Sequence, residues 1–160
     1  MVLFVSSLVI GINKKLRDHK LVAEKIAKLP AFSLMTLNKR IYNSTDTKNG
    51  PVLIVHYHPE CDHCQYEISE ILKSKIPFVF SSVILVSSAH PDSIKSFLSN
   101  LNVKDYSTVI PLLDTSYKFE EIFGRGTIPS TYIYNRNLTL VKMLQGEVKT
   151  ETILKYLQEK

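Results

Sequence analysis

The sequence is poor in cysteine and lacks tryptophan. Its 160 residues contain two cysteines, five glycines and no tryptophan. Two cysteines are too few for the disulfide-stapled scaffold of a small secreted domain. The 20 lysines and arginines exceed the 15 acidic residues, which gives a net charge of +5. Because the basic residues are spread along the chain without a block of like charge, the composition argues against a nucleic-acid-binding arm.

The sequence also lacks a long apolar run. The apolar stretch near the N-terminus covers residues 2–12, whereas a membrane-spanning helix needs about 18–20 residues. It has neither the basic start nor the small-residue cleavage site of a signal peptide. Three interpretations stay open: the C-terminal half of a membrane anchor whose start is missing, an apolar helix packed on the domain or on a partner chain, and an interfacial anchor. Lys14, Lys15 and Arg17 follow the run and count against export under the positive-inside rule.

The remaining composition is that of a folded protein. Apolar residues make up 44% of the chain and charged residues 22%, which is typical of a globular domain with its own core. Residues 13–29 are amphipathic with helical spacing, and Pro30 ends the pattern. We therefore predict two parts: an N-terminal apolar and amphipathic helical segment over residues 1–29, which would serve as anchor and stalk, and a folded domain over residues 30–160.

The hydrophobic periodicity of the folded domain predicts alternating strands and helices. Residues 32–42 predict a β-hairpin, and the predicted elements after it are a central strand 52–58, helix 65–76, strand 79–86, a helix from Pro91, strand 109–113, helical turns 116–123, strands 130–134 and 138–143, and helix 150–158. Pro111 predicts an edge position or a loop for strand 109–113. A helical crossover makes the first core strands parallel, and a tight turn makes the last pair antiparallel. The predicted fold class is α/β, with a mixed central sheet flanked by helices and an N-terminal β-hairpin extension.

The two cysteines lie three residues apart in Cys61-Asp62-His63-Cys64, between a predicted strand and a predicted helix. The first turn of a helix has unpaired N–H groups and the positive end of the helix dipole, which stabilise a thiolate. We therefore predict that Cys61 is the exposed nucleophile and that the more buried Cys64 resolves the mixed disulfide. An imidazolium at His63 would stabilise the thiolate further, whereas the negative charge of Asp62 would oppose it.

A CxxC pair followed by Thr127-Ile128-Pro129-Ser130 at the predicted strand 130–134 resembles the thioredoxin fold. The match over residues 29–158 is closer to the TlpA/ResA-like extracytoplasmic thiol–disulfide oxidoreductases than to thioredoxin itself. The resemblance implies a cis peptide bond before Pro129 that faces the CxxC pair, and a backbone at Ile128 that pairs with the substrate. It also implies protein substrates with disulfides or dithiols, an upstream reductant or oxidant protein, and a periplasmic, membrane-anchored location. We expect no organic cofactor, because the dithiol is itself the redox group, and the spread of basic residues predicts no nucleic-acid partner.

The chain departs from thioredoxin itself at two positions. The buried acid that thioredoxin carries six residues before the first cysteine is replaced by Val55, and the tryptophan that usually precedes this cysteine is replaced by Glu60. ResA-like proteins carry a glutamate three residues after the second cysteine, and Glu67 stands there. Three residues along a helix place Glu67 on the same side as Cys64. We predict that this partly buried carboxylate takes the proton of Cys64 during resolution.

Other functions stay open at this point. A metal-delivery protein is the rival from another class, since His58, Cys61, His63 and Cys64 are donors for Zn²⁺ or Cu⁺. Against it, a histidine between two cysteines on one helical turn reaches the same ion poorly, so we assign no metal ligands. A redox-inactive binding module on the same scaffold is a further alternative. We interpret Tyr57 as a sheet-packing residue and Asp114 as a turn former.

Overall fold

The computed structural model describes Arg17 and residues 20–47, 49–103 and 106–158. Helix α1 is described over residues 20–26. The elements after it are β1 (Ser33–Thr36), β2 (Ile41–Asn43), a short 3₁₀ helix (Ser44–Asp46), β3 (Val52–His56), α2 (Asp62–Lys73), α3 (Ile76–Val79), β4 (Ser82–Ser87), α4 (Pro91–Asn100), β5 (Val109–Leu113), α5 (Lys118–Phe123), β6 (Ser130–Tyr134), β7 (Leu140–Gln145) and α6 (Thr150–Gln158).

The described strands form one seven-stranded sheet in the order β2-β1-β5-β4-β3-β6-β7. The pairs β3–β4 and β4–β5 are parallel, and the other neighbours are antiparallel. The predicted α/β class, the mixed sheet and the N-terminal hairpin are therefore confirmed. The hairpin is joined to the sheet through two residue pairs between β1 and β5.

Strand β3 is buried along its whole length and separates two cores. Successive side chains of a strand point to opposite faces of a sheet. Leu53 and Val55 belong to one core, which we call the cysteine face, together with residues of α2, α4 and α6: Cys64, Ile68, Ile71, Ile94, Leu98 and Ile153. Val52 and Ile54 belong to the other core, the aromatic face, together with Ile26, Phe32, Phe119, Phe123, Tyr132 and Tyr134. Both faces are covered, which explains why β3 is a continuous apolar run in the sequence.

Three sequence predictions are wrong in detail. Strand β5 lies inside the sheet, between β1 and β4. Pro111 is tolerated there because β1 pairs only with Leu112 and Leu113, so the missing N–H of Pro111 leaves no ladder bond unmade on that side. The predicted helix 65–76 ends at Lys73. The predicted strand 79–86 begins only at Ser82, because residues 76–79 form the separate helix α3, with Pro77 in its first turn.

The segment before the hairpin packs against the domain. Ile26 is buried in the aromatic face, and its carbonyl accepts a hydrogen bond from the Tyr134 hydroxyl at 3.0 Å. The backbone N–H of Leu29 donates to the carbonyl of Leu138 at 2.8 Å. The apolar run 2–12 lies outside the described residues, and the division at residue 29 stays a prediction. No helix in the described ranges is both long and apolar enough to span a membrane.

Candidate active site

The cysteine pair lies where β3 gives way to α2. Cys61 is the residue before the first helical position, and its carbonyl accepts the first helical hydrogen bond, from the N–H of Gln65 at 2.9 Å. The side-chain amide of Gln65 also donates to the carbonyl of Pro59 at 2.7 Å. The N–H of Cys61 donates to the carbonyl of His58 at 3.1 Å. These bonds fix the loop between strand and helix, so that Cys61 stands at the positive end of the helix dipole, as predicted.

The two thiols differ in exposure. Both cysteines are free thiols; Cys61 is partly exposed, whereas Cys64 is 0% exposed. The pKa of Cys64 is raised to about 12. Burial is the largest cause, and a hydrogen bond with Cys61 is the second. Near neutral pH, Cys64 is therefore a protonated thiol that a solute cannot reach, and Cys61 is the accessible sulfur. This asymmetry is what the roles of nucleophile and resolving thiol require.

Glu67 is completely buried, deeper than its sequence position suggested. Its Oε1 accepts a hydrogen bond from Thr131 Oγ1 at 2.6 Å, and its Oε2 accepts one from the backbone N–H of Val148 at 3.0 Å. Burial raises the pKa of Glu67, and the two hydrogen bonds oppose that rise. The Glu67 carboxylate in turn contributes to the raised pKa of Cys64. Cys64 and Glu67 are both buried residues of α2, three positions apart on one helix.

His63 lies on the surface, with 75% of its side chain exposed. Its Nδ1 is 2.7 Å from Oε2 of Glu147, in the loop between β7 and α6. No local sequence pattern marks Glu147, because its contact with His63 joins residues 84 positions apart. Glu147 and Val148 are adjacent, so one loop contacts both His63 and Glu67 in α2.

The Ile128–Pro129 peptide bond is cis, which confirms the prediction made from the resemblance. The following residue, Ser130, pairs with His56 at the end of β3, so the cis bond lies at the sheet end that leads to the cysteines. The Pro129 carbonyl accepts a hydrogen bond from the N–H of Gly146 at 2.8 Å. Ile128 is 36% exposed and presents an apolar side chain beside this site.

Tyr57, predicted to pack in the sheet, also contributes a buried hydroxyl group. Its side chain is 2% exposed and packs against Phe97, with ring centroids 5.8 Å apart. Among the described residues its hydroxyl is the one buried side-chain polar atom without a hydrogen-bond partner. Burial raises the pKa of Tyr57, and the charge of Cys64 adds to the rise. The interpretation of Tyr57 as a packing residue holds for its ring.

The candidate metal donors do not converge within the described residues. No group of three or more histidine, cysteine or acidic side chains there is placed to bind a metal ion. The imidazole of His63 contacts Glu147, and Nδ1 of His58 accepts the backbone N–H of Glu60 at 3.3 Å. One ring nitrogen of each histidine is thus already occupied by a contact other than a metal ion.

Comparison with solved structures identifies the fold. A secreted disulfide oxidoreductase of Mycobacterium tuberculosis, described as homologous to Escherichia coli DsbE, matches with a TM-score of 0.70 and 13% identity over 86% of this chain and 98% of its own. The chain has the thioredoxin fold. An exposed lipoprotein thioredoxin of Streptococcus pneumoniae matches with a TM-score of 0.64 and 24% identity over 81% of this chain and 99% of its own.

A third thioredoxin-fold structure supports the same conclusion. The thioredoxin domain of a Bacteroides vulgatus thiol-disulfide oxidoreductase matches with a TM-score of 0.65 and 17% identity, over 84% of this chain and 95% of that domain. The sequence matches no protein-family model and no curated protein. The predicted resemblance to thioredoxin-like proteins is thus confirmed at the level of the fold.

Proposed function

We propose that this protein is a thiol–disulfide oxidoreductase that exchanges disulfides with protein substrates through Cys61 and Cys64. The observation that carries the proposal is the asymmetric thiol pair: Cys61 is accessible at a helix N-terminus, and Cys64 is buried beside the carboxylate of Glu67. Two of the matched thioredoxin-fold proteins are named as disulfide oxidoreductases, which supports this chemistry.

The reaction begins at Cys61. Its thiolate attacks one sulfur of a substrate disulfide, the substrate S–S bond breaks, and one substrate sulfur leaves as a thiolate. A mixed disulfide then joins Cys61 to the substrate. The Cys64 thiol loses its proton and attacks the Cys61 sulfur. The Cys61–Cys64 disulfide forms, the bond between Cys61 and the substrate breaks, and the second substrate sulfur leaves as a thiolate. Two electrons pass to the substrate in this direction, and the reverse sequence oxidises a substrate dithiol.

Glu67 is the base for the second step. The high pKa of Cys64 means that its thiol holds its proton tightly near neutral pH. A base with a raised pKa that is buried in the same core is suited to take this proton as the sulfur attacks. His63 adds an imidazole on the exposed side of the pair, oriented by Glu147. In this proposal His63 stabilises the Cys61 thiolate whenever its ring is protonated.

The substrate chain would dock along Ile128 and Pro129, because Ile128 is exposed beside the cis bond at the cysteine end of the sheet. The working partners are proteins with disulfides or dithiols, together with an upstream protein that reduces or oxidises the Cys61–Cys64 pair. We propose an extracytoplasmic site of action, since two matched proteins are named as secreted or exposed. In this proposal the N-terminal segment, residues 1–29, tethers the protein to the membrane.

Substitution of each cysteine tests the proposal directly. Cys61→Ser should abolish exchange with a disulfide-containing protein, because the accessible nucleophile is lost. Cys64→Ser should accumulate the mixed disulfide, because the resolving thiol is absent. Mass spectrometry of trapped adducts and a turnover assay with insulin as disulfide substrate would measure both effects, with circular dichroism to verify the fold of each variant.

Equal residual turnover in the two variants would refute the assignment of roles. A wild-type protein that forms no reversible disulfide in glutathione buffers, yet binds Zn²⁺ or Cu⁺ tightly in a fixed ratio, would replace the proposal with metal delivery.

A further inference from the structure

The two oxygens of the Glu67 carboxyl group have chemically different partners. Oε1 receives a hydrogen bond from the Thr131 hydroxyl at 2.6 Å, and Oε2 receives one from the Val148 N–H at 3.0 Å. Glu67 and Thr131 are both 0% exposed. Bulk water therefore does not reach either group, and the two hydrogen bonds decide where a proton can be held.

A backbone N–H only donates, whereas a hydroxyl donates or accepts according to its rotation about the C–O bond. If Oε2 took up a proton, the new O–H would face the Val148 N–H, and two donors would oppose each other. If Oε1 took up the proton, the Thr131 hydroxyl would rotate and accept it. The hydrogen bond from the Val148 N–H to Oε2 therefore persists in both the carboxylate and the protonated acid only if the proton is on Oε1.

We propose that Thr131 is a positioning residue that directs the proton from Cys64 to Oε1 of Glu67 by reversing the direction of its hydrogen bond. The inference rests on the proposed oxidoreductase function. In this step the S–H bond of Cys64 breaks and an O–H bond forms on Oε1. The electron pair of the broken bond stays on the Cys64 sulfur and forms the new S–S bond with Cys61. The S–S bond between Cys61 and the substrate breaks at the same time, and the substrate sulfur leaves as a thiolate. When the pair is reduced again, the proton returns to Cys64.

Several groups act on the charge of Glu67 from the elements that pack around it. Cys64 lies on the same helix, Thr131 reaches Glu67 from β6, and the Val148 N–H and the Glu147 carboxylate reach it from the loop before α6. The Thr131 and Val148 hydrogen bonds favour the carboxylate, whereas burial and Glu147 favour the protonated acid. Removal of the Thr131 hydroxyl alone should therefore raise the pKa of Glu67 further.

Titration of the Glu67 carboxyl carbon by ¹³C NMR tests the inference without depending on catalysis. Thr131→Val keeps the side-chain shape and removes the hydroxyl, so the titration midpoint should rise by about one to two on the pH scale, a tenfold to hundredfold gain in proton affinity. Thr131→Ser keeps the hydroxyl and should titrate close to wild type. Thr131→Ala replaces the valine variant if that variant folds poorly. Glu67→Gln identifies the signal, because it removes it.

Thr139→Val is a matched control, since it removes a hydroxyl that bonds Lys28 at the far end of β7. It should leave the Glu67 midpoint unchanged. The pH–rate profile of mixed-disulfide resolution should shift with the NMR midpoint in Thr131→Val, and Thr131→Val should add no shift in a Glu67→Gln background.

Two NMR outcomes would overturn the role of Thr131: an unchanged midpoint in Thr131→Val, or an equal shift in Thr131→Ser. A shifted NMR midpoint in a protein without disulfide exchange would refute the proposed function instead, because the titration would then show the hydrogen bond without the chemistry.

Discussion

The two faces of the sheet use their buried volume in different ways. The cysteine face buries a thiol, a carboxyl group and a phenol hydroxyl among aliphatic side chains: Cys64, Glu67 and Tyr57. The aromatic face is filled by rings. Phe119 and Phe123 are stacked with centroids 4.0 Å apart, and Phe32 and Tyr132 meet them edge-on. The chemistry is thus confined to one face, while the other contributes close packing.

Among the buried titratable groups, Glu67 on the cysteine face and His56 on the aromatic face have pKa values that burial shifts in opposite directions. On the cysteine face, burial raises the pKa of Glu67. On the aromatic face, burial lowers the pKa of His56, and the carboxylates of Glu120 and Asp114 offset part of that change. The His56 ring lies 5.1 Å from the ring of Phe119. Burial therefore favours the neutral form of both groups, but only Glu67 is held by two hydrogen bonds next to a reactive sulfur.

The largest expected effect comes from opening the aromatic face. Phe119→Ala removes a ring that contacts four other aromatic rings and should lower the free energy of unfolding by about 3–5 kcal/mol. The exchange rate per folded molecule should stay at the wild-type value, because no group of the cysteine face is touched. Chemical denaturation and a turnover assay would measure the two quantities.

Phe78→Ala serves as the control for this substitution, because 76% of that side chain is exposed. It should change stability by less than about 0.5 kcal/mol. If Phe119→Ala lowered the exchange rate of the folded protein in proportion to its stability, the functional separation of the two faces would be wrong.

Glu67 and His56 should contribute to the pH dependence of stability with opposite slopes. The folded pKa of Glu67 is raised, so its contribution to stability is complete below its unfolded pKa and is lost as the pH rises through the folded value. The folded pKa of His56 is lowered, so its contribution is present above about pH 6.5 and is lost as the pH falls. A tenfold difference in proton affinity between the folded and unfolded chains corresponds to about 1.4 kcal/mol of unfolding free energy.

Denaturation at a series of pH values would separate these contributions. Glu67→Gln should gain stability relative to wild type as the pH rises, and His56→Gln should gain relative to wild type as the pH falls below about 6.5. Glu67→Gln should in addition slow resolution of the mixed disulfide, whereas His56→Gln should not. If the stabilities of the two variants changed with pH in the same direction relative to wild type, the opposite pKa shifts of Glu67 and His56 would be wrong.

The smallest expected effect concerns the unpartnered hydroxyl of Tyr57. Tyr57→Phe removes a buried donor that has no acceptor among the described residues, and should raise the free energy of unfolding by about 1 kcal/mol. Tyr134→Phe is the matched control, because the Tyr134 hydroxyl donates to the Ile26 carbonyl and its loss should be destabilising. Equal destabilisation by both variants would show that Tyr57 has a partner in solution.

Much of the fold follows from local patterns in the sequence. The apolar run of β3 and the i, i+3, i+4 spacing of Ile94, Phe97 and Leu98 in α4 each predict one element, and those elements are present. The boundary before β4 could not be predicted, because Val79 and Phe80 continue the apolar pattern of a strand. In the structure Phe80 is buried in the same core as residues of α2, and the strand begins two residues later, at Ser82.

The candidate site also contains contacts that the sequence predicts and contacts that it does not. The cysteines and Glu67 are close in sequence, so their spacing on one helix predicts their proximity. Thr131 and Glu147 contact that helix across 64 and 84 residues, and both contacts depend on how β6, β7 and α6 return to α2. An ordinary threonine and an ordinary glutamate give no local signal, so these contacts could be found only in three dimensions.

The pairing of β6 with β3 fixes which side chains of β6 point to each face of the sheet. Val55 pairs with Thr131, and Ile54 with Tyr132, so alternate residues of β6 face the cysteines and the aromatic rings. A one-residue slip of β6 against β3 would turn the Thr131 hydroxyl toward the rings and place Ser130 or Tyr132 opposite Val55. Changes of length in this strand must therefore come in pairs.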